Sequence, residues 1–467
     1  MSRSFTLPQI DGRVLSTLNA DGSRRWLDPR EVSGRWHRRR TVVAWVLIAL
    51  FSVLPWLRIA GKPPILLDVM TRHFTFFGTT FRPTETPLVA VLMAMVFVTV
   101  FLLTAVAGRV WCGWGCPQTV YLEFVYRPLE RWVGAGRGKA LAGWRRIMIQ
   151  VAFLLVSAHL ANTFLAYFVG TDRLTQWTVG NPAAHPTAFA VFAVVTGLMM
   201  FDFAFFREQL CTLVCPYGRL QSALLDRDSR IVAYDHRRGE PRGSLAAHRM
   251  AQASGQPAGA CVDCGWCQQV CPTGIDIRAG LQMECLHCTQ CIDACDAVMQ
   301  KVGSPTGLIR YASQRAVEGG TRNGIRWRVA VYATAMCGLT VLFVLLLVGR
   351  TATLVEQVRL PGVNFVERED GSIETPVRLL VENRSEVART YRVQGLGDVA
   401  VIAPVAAITV EPAEAATMNL SVVTPASTFV RGSRSGTVRA IDDAGRAVDV
   451  VLTIAGPFSG TFGGAHR

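Results

Sequence analysis

Lysine is almost missing from this chain. Of 48 basic residues only Lys62, Lys139 and Lys301 are lysines, and no GxxxxGK[ST] occurs, so P-loop phosphate binding and Schiff-base chemistry have almost no lysine to use. Charge as a whole is scarce: 18% of the 467 residues are charged, against roughly 25% in a soluble globular domain. That deficit points to lipid. No GxGxxG follows a strand-like run, so the chain alone is not expected to oxidise NAD(P)H. Thirteen cysteines are too few for a small disulfide scaffold, and twelve fall into four short clusters, which reads as metal or redox chemistry; Cys337 stands alone.

What is present is a set of five apolar stretches, residues 41–59, 88–107, 147–168, 187–206 and 329–348, each near the roughly 20 residues that cross a bilayer core. The first lies about 40 residues into the chain behind Arg35, Arg38, Arg39 and Arg40, with no cleavage-site pattern after it, and is expected to be an anchor rather than a removed signal peptide. The net charge of +14 comes from arginines flanking these runs, which the positive-inside rule explains without a nucleic-acid partner. The basic 1–40 segment, the loop with Arg127, Arg131, Arg137, Arg145 and Arg146, and the insert after Arg207 are expected in the cytoplasm. Everything after Gly349 is then expected outside it, in the periplasm of a bacterial inner membrane.

These features divide the chain into a basic segment (1–40), a four-span bundle (41–234), a linker rich in Arg, Gly, Pro and Ala (235–260), a cysteine-rich insert (261–327), a fifth span (328–349) and an exported tail (350–467). In the tail, β-rich runs at 377–381, 391–393, 408–410, 418–423, 437–441 and 448–454 alternate with turn residues, the pattern of an antiparallel immunoglobulin-like or fibronectin-type β-sandwich of about 100 residues. The fold class is therefore a multi-domain membrane protein: an α-helical bundle of five spans, a cytoplasmic ferredoxin-like insert and a β-sandwich. The sandwich shows nothing catalytic and reads as a docking or assembly module.

The insert contains Cys261-Val-Asp-Cys264-Gly-Trp-Cys267-Gln-Gln-Val-Cys271-Pro272 and, further on, Cys285-Leu-His-Cys288-Thr-Gln-Cys291-Ile-Asp-Ala-Cys295. Three cysteines at successive i+3 spacing wrap one cubane while the fourth ligates the other cluster. One [4Fe–4S] cluster is expected on Cys261, Cys264, Cys267 and Cys295, and a second on Cys285, Cys288, Cys291 and Cys271. The alternative is a pair of zinc knuckles, which seldom cross their ligands in this way. Asp296 stands where the second run would ordinarily carry proline; it can alter the turn and the potential but removes no ligand.

Two further motifs follow the second and fourth spans: Arg109-Val-Trp111-Cys112-Gly-Trp-Gly-Cys116-Pro117 and Cys211-Thr-Leu-Val-Cys215-Pro216-Tyr217-Gly218. Cysteines four apart share a helix face, so Cys112, Cys116, Cys211 and Cys215 can offer thiolates to copper or to an additional metal centre. Alternatively, proline ends each helix and the thiols pack as small hydrophobes. His159 is the sole histidine inside a span, so it cannot supply both ligands of a transmembrane b haem; an interhelical hydrogen bond, or a contact to a quinone or metal, is expected of it. Asp202 is expected to reach the membrane interface and Cys337 to pack.

The segments WCGWGCPQ at 111–118 and CTLVCPYGRLQ at 211–221, the tandem ferredoxin runs and the β-rich tail resemble the FixG/RdxA/CcoG proteins over nearly the whole chain. The resemblance implies an accessory protein of cbb3-type cytochrome c oxidase assembly that reduces Cu(II) to Cu(I), with copper ions, oxidase assembly factors or a copper chaperone, and an electron donor still to be identified as partners. The paired motifs also look like those of NapH- and NosR-type quinol dehydrogenases, which implies electron transfer from quinol to a respiratory partner as the alternative. A non-enzymatic assembly scaffold is the third reading.

Overall fold

The computed structural model describes residues 15–457 apart from 20, 60, 70–72, 82–84, 135–142, 321–325, 359–364, 386, 413 and 430–431. Arg137 and Lys139, and most of the first half of the 1–40 segment, lie outside the described residues. The chain divides into two compact units, Met1–Val344 and Leu345–Arg467.

Among the described residues, five helices are long and apolar enough to cross a membrane: Arg35–Trp56, Thr86–Ala107, Gly143–Val169, Pro186–Phe206 and Trp327–Val348. The first begins earlier than its apolar run, so Arg35 to Arg40 belong to the helix and not to a preceding flank. Its start is set from outside. Asp293, from the cysteine-rich insert, accepts from the Trp36 and His37 amides at 3.1 and 2.7 Å, satisfying two of the orphan donors that every helix start leaves. The residues before it are also folded: the Arg30 amide donates to Gln269 O (2.9 Å) and the Thr17 and Thr212 hydroxyls meet at 3.3 Å.

The third and fourth spans pack through aromatics. Tyr126, on the helical stretch after the first cysteine motif, stacks on Phe203 at 4.2 Å, meets Phe153 edge-on, and shares a hydrogen bond of 2.8 Å with Ser157. The fifth span buries none of its residues, and Cys337 on it is exposed rather than packed. His159 is likewise exposed on the third span, so the interior position expected of it is not found. A three-stranded antiparallel sheet, Ile65–Asp68, His73–Phe76 and Thr79–Phe81, joins the first two spans and was not expected.

The 235–260 segment is not an unstructured linker. Strand Ile231–Tyr234 before it pairs antiparallel with Ile309–Ala312 beyond the cysteines, and the segment between holds helix Leu245–Ala253. The Ala260 amide returns to Arg238 O at 2.9 Å. The cysteine-rich fold therefore starts near 231 and not at 261.

The second unit is a sandwich of two antiparallel sheets. One runs Ala400–Ile402, Ala415–Pro425, Ser372–Asn383, Thr353–Val358, with Val366–Glu367 also on Ser372–Asn383; the other runs Ile408–Val410, Arg389–Gly395, Ser433–Asp442, Ala447–Ala455. All six β-rich runs read from the sequence lie in strands. Alternation puts Ile373, Leu379, Val422, Val438, Leu452 and Ile454 into a fully buried core. The Thr353 and Tyr391 hydroxyls, 3.2 Å apart, tie the two sheets.

Candidate metal centre

The two cysteine runs of the insert fold into copies of one loop. Asp263 and Gly265 in the first, and His287 and Thr289 in the second, adopt positive φ (50°, 65°, 55° and 66°) at matching places around Cys264 and Cys288. Helices Trp266–Gln269 and Gln290–Lys301 follow directly. Three of the four positions are not glycine, and a left-handed β-branched residue such as Thr289 carries a cost on the order of 1–2 kcal/mol. Successive left-handed bends turn backbone amides to one side, the arrangement that binds anions.

Two cavities of nearly equal size lie inside these loops. Cys261, Cys264, Cys267 and Cys295 line one; Cys271, Cys285, Cys288 and Cys291 line the other, with Cys267 on the wall between them. Among the described residues no group of three or more His, Cys, Asp or Glu side chains converges tightly enough to hold a single metal ion. Four thiols spread around a cavity fit a cubane, whereas a zinc knuckle draws them to one point. Burial pushes the Cys267, Cys285 and Cys295 thiols up to about 12, so they give up their protons only when metal takes the proton's place. Asp296 continues the helix that carries Cys295, and its carboxylate accepts from the Gly307 amide at 2.8 Å.

The two membrane-side motifs also share a geometry. Cys116 and Cys215 both precede a proline that starts a helix, with extended backbones at φ −67°, ψ 125° and φ −64°, ψ 107°. Wide π-helical turns adjoin them, Leu122–Tyr126 after Cys116 and Asp202–Phe206 and Leu210–Val214 before Cys215; such turns recur at functional sites. Cys112, Cys116, Cys211 and Cys215 lie close enough to act electrostatically on one another. They do not converge on a single ion. Burial raises the Cys112, Cys116 and Cys211 thiols; amides of Gln118 and Thr119 at the helix start oppose this at Cys116. The Cys112 thiol donates to Gln221 Oε1 at 3.1 Å.

The first motif is docked on the loop of the second cavity. A Cβ on Gly113 would lie 2.5 Å from Leu286 O and 2.8 Å from His287 O, so only glycine permits this approach. The Arg109 amide donates to His287 Nδ1 (3.1 Å); its guanidinium reaches Met283 O, Ser222 Oγ (3.2 Å) and the Cys112 sulfur (3.9 Å). Burial, with Arg109 adding to it, pushes His287 down to about 3, so the ring is neutral and free to accept at Nδ1. Trp114 Nε1 donates to the Tyr311 hydroxyl (3.2 Å), which donates to His287 O (3.1 Å). From the first span, Arg40, 1% exposed, donates through Nε to Gly113 O at 3.0 Å, while Nη1 and Nη2 are buried without a partner and Cys288 acts on the charge. Orphaned guanidinium donors facing a cysteine loop fit an anionic cluster there. Arg40, Arg109, Gly113 and His287 escaped the sequence reading because only their long-range neighbours give them roles.

Three family models cover most of this architecture: a 4Fe-4S binding domain over residues 89–136, a 4Fe-4S dicluster domain over 206–314, and the Ig-like fold at the C-terminus of FixG over 343–457. Protein RdxA of Cereibacter sphaeroides is 34% identical over 390 residues, 78% of this chain and 81% of that protein. The chain belongs to the FixG/RdxA family. Protein RdxB of the same organism is 32% identical over 390 residues (78% of this chain, 80% of RdxB), and the nitrogen fixation protein FixG of Rhizobium meliloti is 35% identical over 327 residues (66% and 62%). This is an iron–sulfur electron-transfer protein with 4Fe-4S domains and five apolar helices suited to a membrane.

A positive charge beside a cluster stabilises its more negative reduced form. Arg40→Gln is therefore expected to lower the potential of the cluster on the Cys288 loop by about 2 kcal/mol, on the order of 100 mV for one electron, with Arg40→Lys retaining most of it. A redox titration followed by low-temperature EPR checks this; an unchanged potential in Arg40→Gln would remove the electrostatic role.

Proposed function

We propose that this chain is a membrane cupric reductase of cbb3-type oxidase assembly, passing single electrons from two [4Fe–4S] clusters to Cu(II) at Cys112, Cys116, Cys211 and Cys215. The observation that carries the reading is the close seating of Gly113 against the Leu286–His287 backbone, with the Arg109 amide donating to the His287 ring, which sets the first thiol motif directly on a cysteine loop. Clusters supply electrons one at a time, and soft thiolates favour Cu(I) over Cu(II). One electron converts one Cu(II) to Cu(I), and the released thiol protons go to water. A pair of thiolates suffices for Cu(I), so one sulfur from each motif can capture the ion although the four do not converge on one point. An assembly factor or copper chaperone then receives it.

Anaerobically reduced protein is expected to turn added Cu(II) into chelatable Cu(I) while its clusters reoxidise; Cys288→Ala is expected to lose this, and Cys116→Ser with Cys215→Ser to weaken copper capture. Clusters that stay reduced in the presence of Cu(II) would overturn the reading.

The same reading puts the N-terminus, thiol motifs and clusters in the cytoplasm and the sandwich in the periplasm, following the arginine asymmetry. A periplasm-active reporter fused after Gly349 is expected to be active and one fused before Arg35 silent; the reverse pattern contradicts the orientation.

A further inference from the structure

A cavity of ≈ 550 Å³ lies between the first, third and fourth spans and the first thiol motif, and neither the clusters nor the copper reading uses it. Its size is that of a small-molecule site. Leu47, Phe51, Leu160 and Phe164 are among its apolar lining, and Gly115 and Pro117, the neighbours of Cys116, line it too. Its polar lining residues include Asp202, Gln118, Tyr121 and Tyr167, of which Tyr167 donates its hydroxyl to Phe51 O at 2.9 Å. Asp202 accepts from Gln118 Nε2 at 3.2 Å and makes no ion pair among the described residues; Gln118 also donates to Arg207 O at 3.0 Å. The buried Tyr121 hydroxyl has the Ser52 side chain as a polar neighbour. An ionisable residue in a span that faces a cavity, rather than the interface expected of Asp202, marks a functional site by default.

The geometry points to a binding site for the ring of a membrane quinol, the electron donor that the proposed reduction lacks. An acyl chain would fill the apolar walls but offer no hydrogen bond to the Tyr121 hydroxyl or to the second oxygen of the Asp202 carboxylate. A phospholipid head group would meet that carboxylate with no Arg or Lys on the wall to hold its phosphate. A quinol has an apolar tail for the walls, one hydroxyl to donate to Asp202 and a second oxygen to accept from Tyr121. Oxidising one quinol to quinone releases two electrons and two protons: the electrons are accepted singly by the two oxidised [4Fe–4S] clusters, and the protons leave through the Asp202 carboxylate to water. Buried Arg40 and Arg109 beside the Cys285–Cys288 loop raise that cluster's potential toward the range a quinol can reduce.

The inference rests on the clusters and not on copper, so the test omits copper. Full-length oxidised protein, purified anaerobically, is mixed with decylubiquinol or menadiol, and cluster bleaching is followed; binding of decylubiquinone to the oxidised protein is titrated in parallel. Expected are saturable binding of about one quinone per chain, reduction of the clusters by at least one of the quinols, and at least tenfold slower reduction in Asp202→Asn. Tyr121→Phe is expected to weaken quinone binding severalfold, with iron content and dithionite-reduced EPR spectra unchanged in both variants. Absence of saturable quinone binding, extraction of stoichiometric phospholipid from a cavity that Leu160→Trp empties, or wild-type rates in Asp202→Asn would overturn the site. A wild-type protein that quinol reduces but Cu(II) does not reoxidise would sink the copper reading alone.

Discussion

Two guanidinium groups, those of Arg40 and Arg109, are buried without a salt bridge among the described residues, and the arrangement of the first unit follows from that constraint. An isolated charge taken out of water costs several kcal/mol unless something of opposite sign or good hydrogen-bonding geometry meets it. Elsewhere the chain meets this need conventionally, as where Arg127 is enclosed by Glu123 and Glu208. Arg40 and Arg109 instead face carbonyls, sulfur and the second cysteine loop. An anionic cluster on that loop would answer both charges at once, and cofactor binding and the docking of the insert on the spans would then stabilise each other.

That docking is also what relates the two thiol systems. Gly113 lets the backbone of the first membrane-side motif lie against the carbonyls between Cys285 and Cys288, and Arg109 bridges from Met283 to the Cys112 sulfur. Motif and cluster loop are thus neighbours through a few polar contacts, without a solvent gap. The cavity between the first, third and fourth spans is lined by Trp111, Gly115 and Pro117 of the same motif, so WCGWGCP borders both that cavity and the second cysteine loop.

Much of this was legible in the sequence and some was not, for physical reasons. Helical spans announce themselves because lipid forbids unsatisfied backbone, and sandwich strands because alternation has period two; both signals are local. The cysteine spacing encodes a loop whose left-handed positions repeat even though Asp263 and His287, or Gly265 and Thr289, share no chemistry. The start of the first helix was misplaced because its cap, Asp293, lies more than 250 residues away and the basic residues read as a flank. The 235–260 segment read as a linker because the pairing that folds it joins strands 231–234 and 309–312 across the whole insert. His159 and Cys337 point outward, which apolar runs without a strong face do not reveal. Arg109 stands in the sequence only as the first residue of the first membrane-side motif, and its burial depends on Met283, Ser222 and His287.

The central claim is that the second cysteine loop holds an iron–sulfur cluster against the membrane-side motif, paired with a second cluster close by. Low-temperature EPR of the anaerobically purified, reduced protein, combined with metal and labile-sulfide analysis, tests it most directly. The account predicts about eight iron and eight sulfide per chain and a spectrum broadened by coupling between two neighbouring [4Fe–4S]⁺ spins. Stoichiometric zinc without labile sulfide would contradict it.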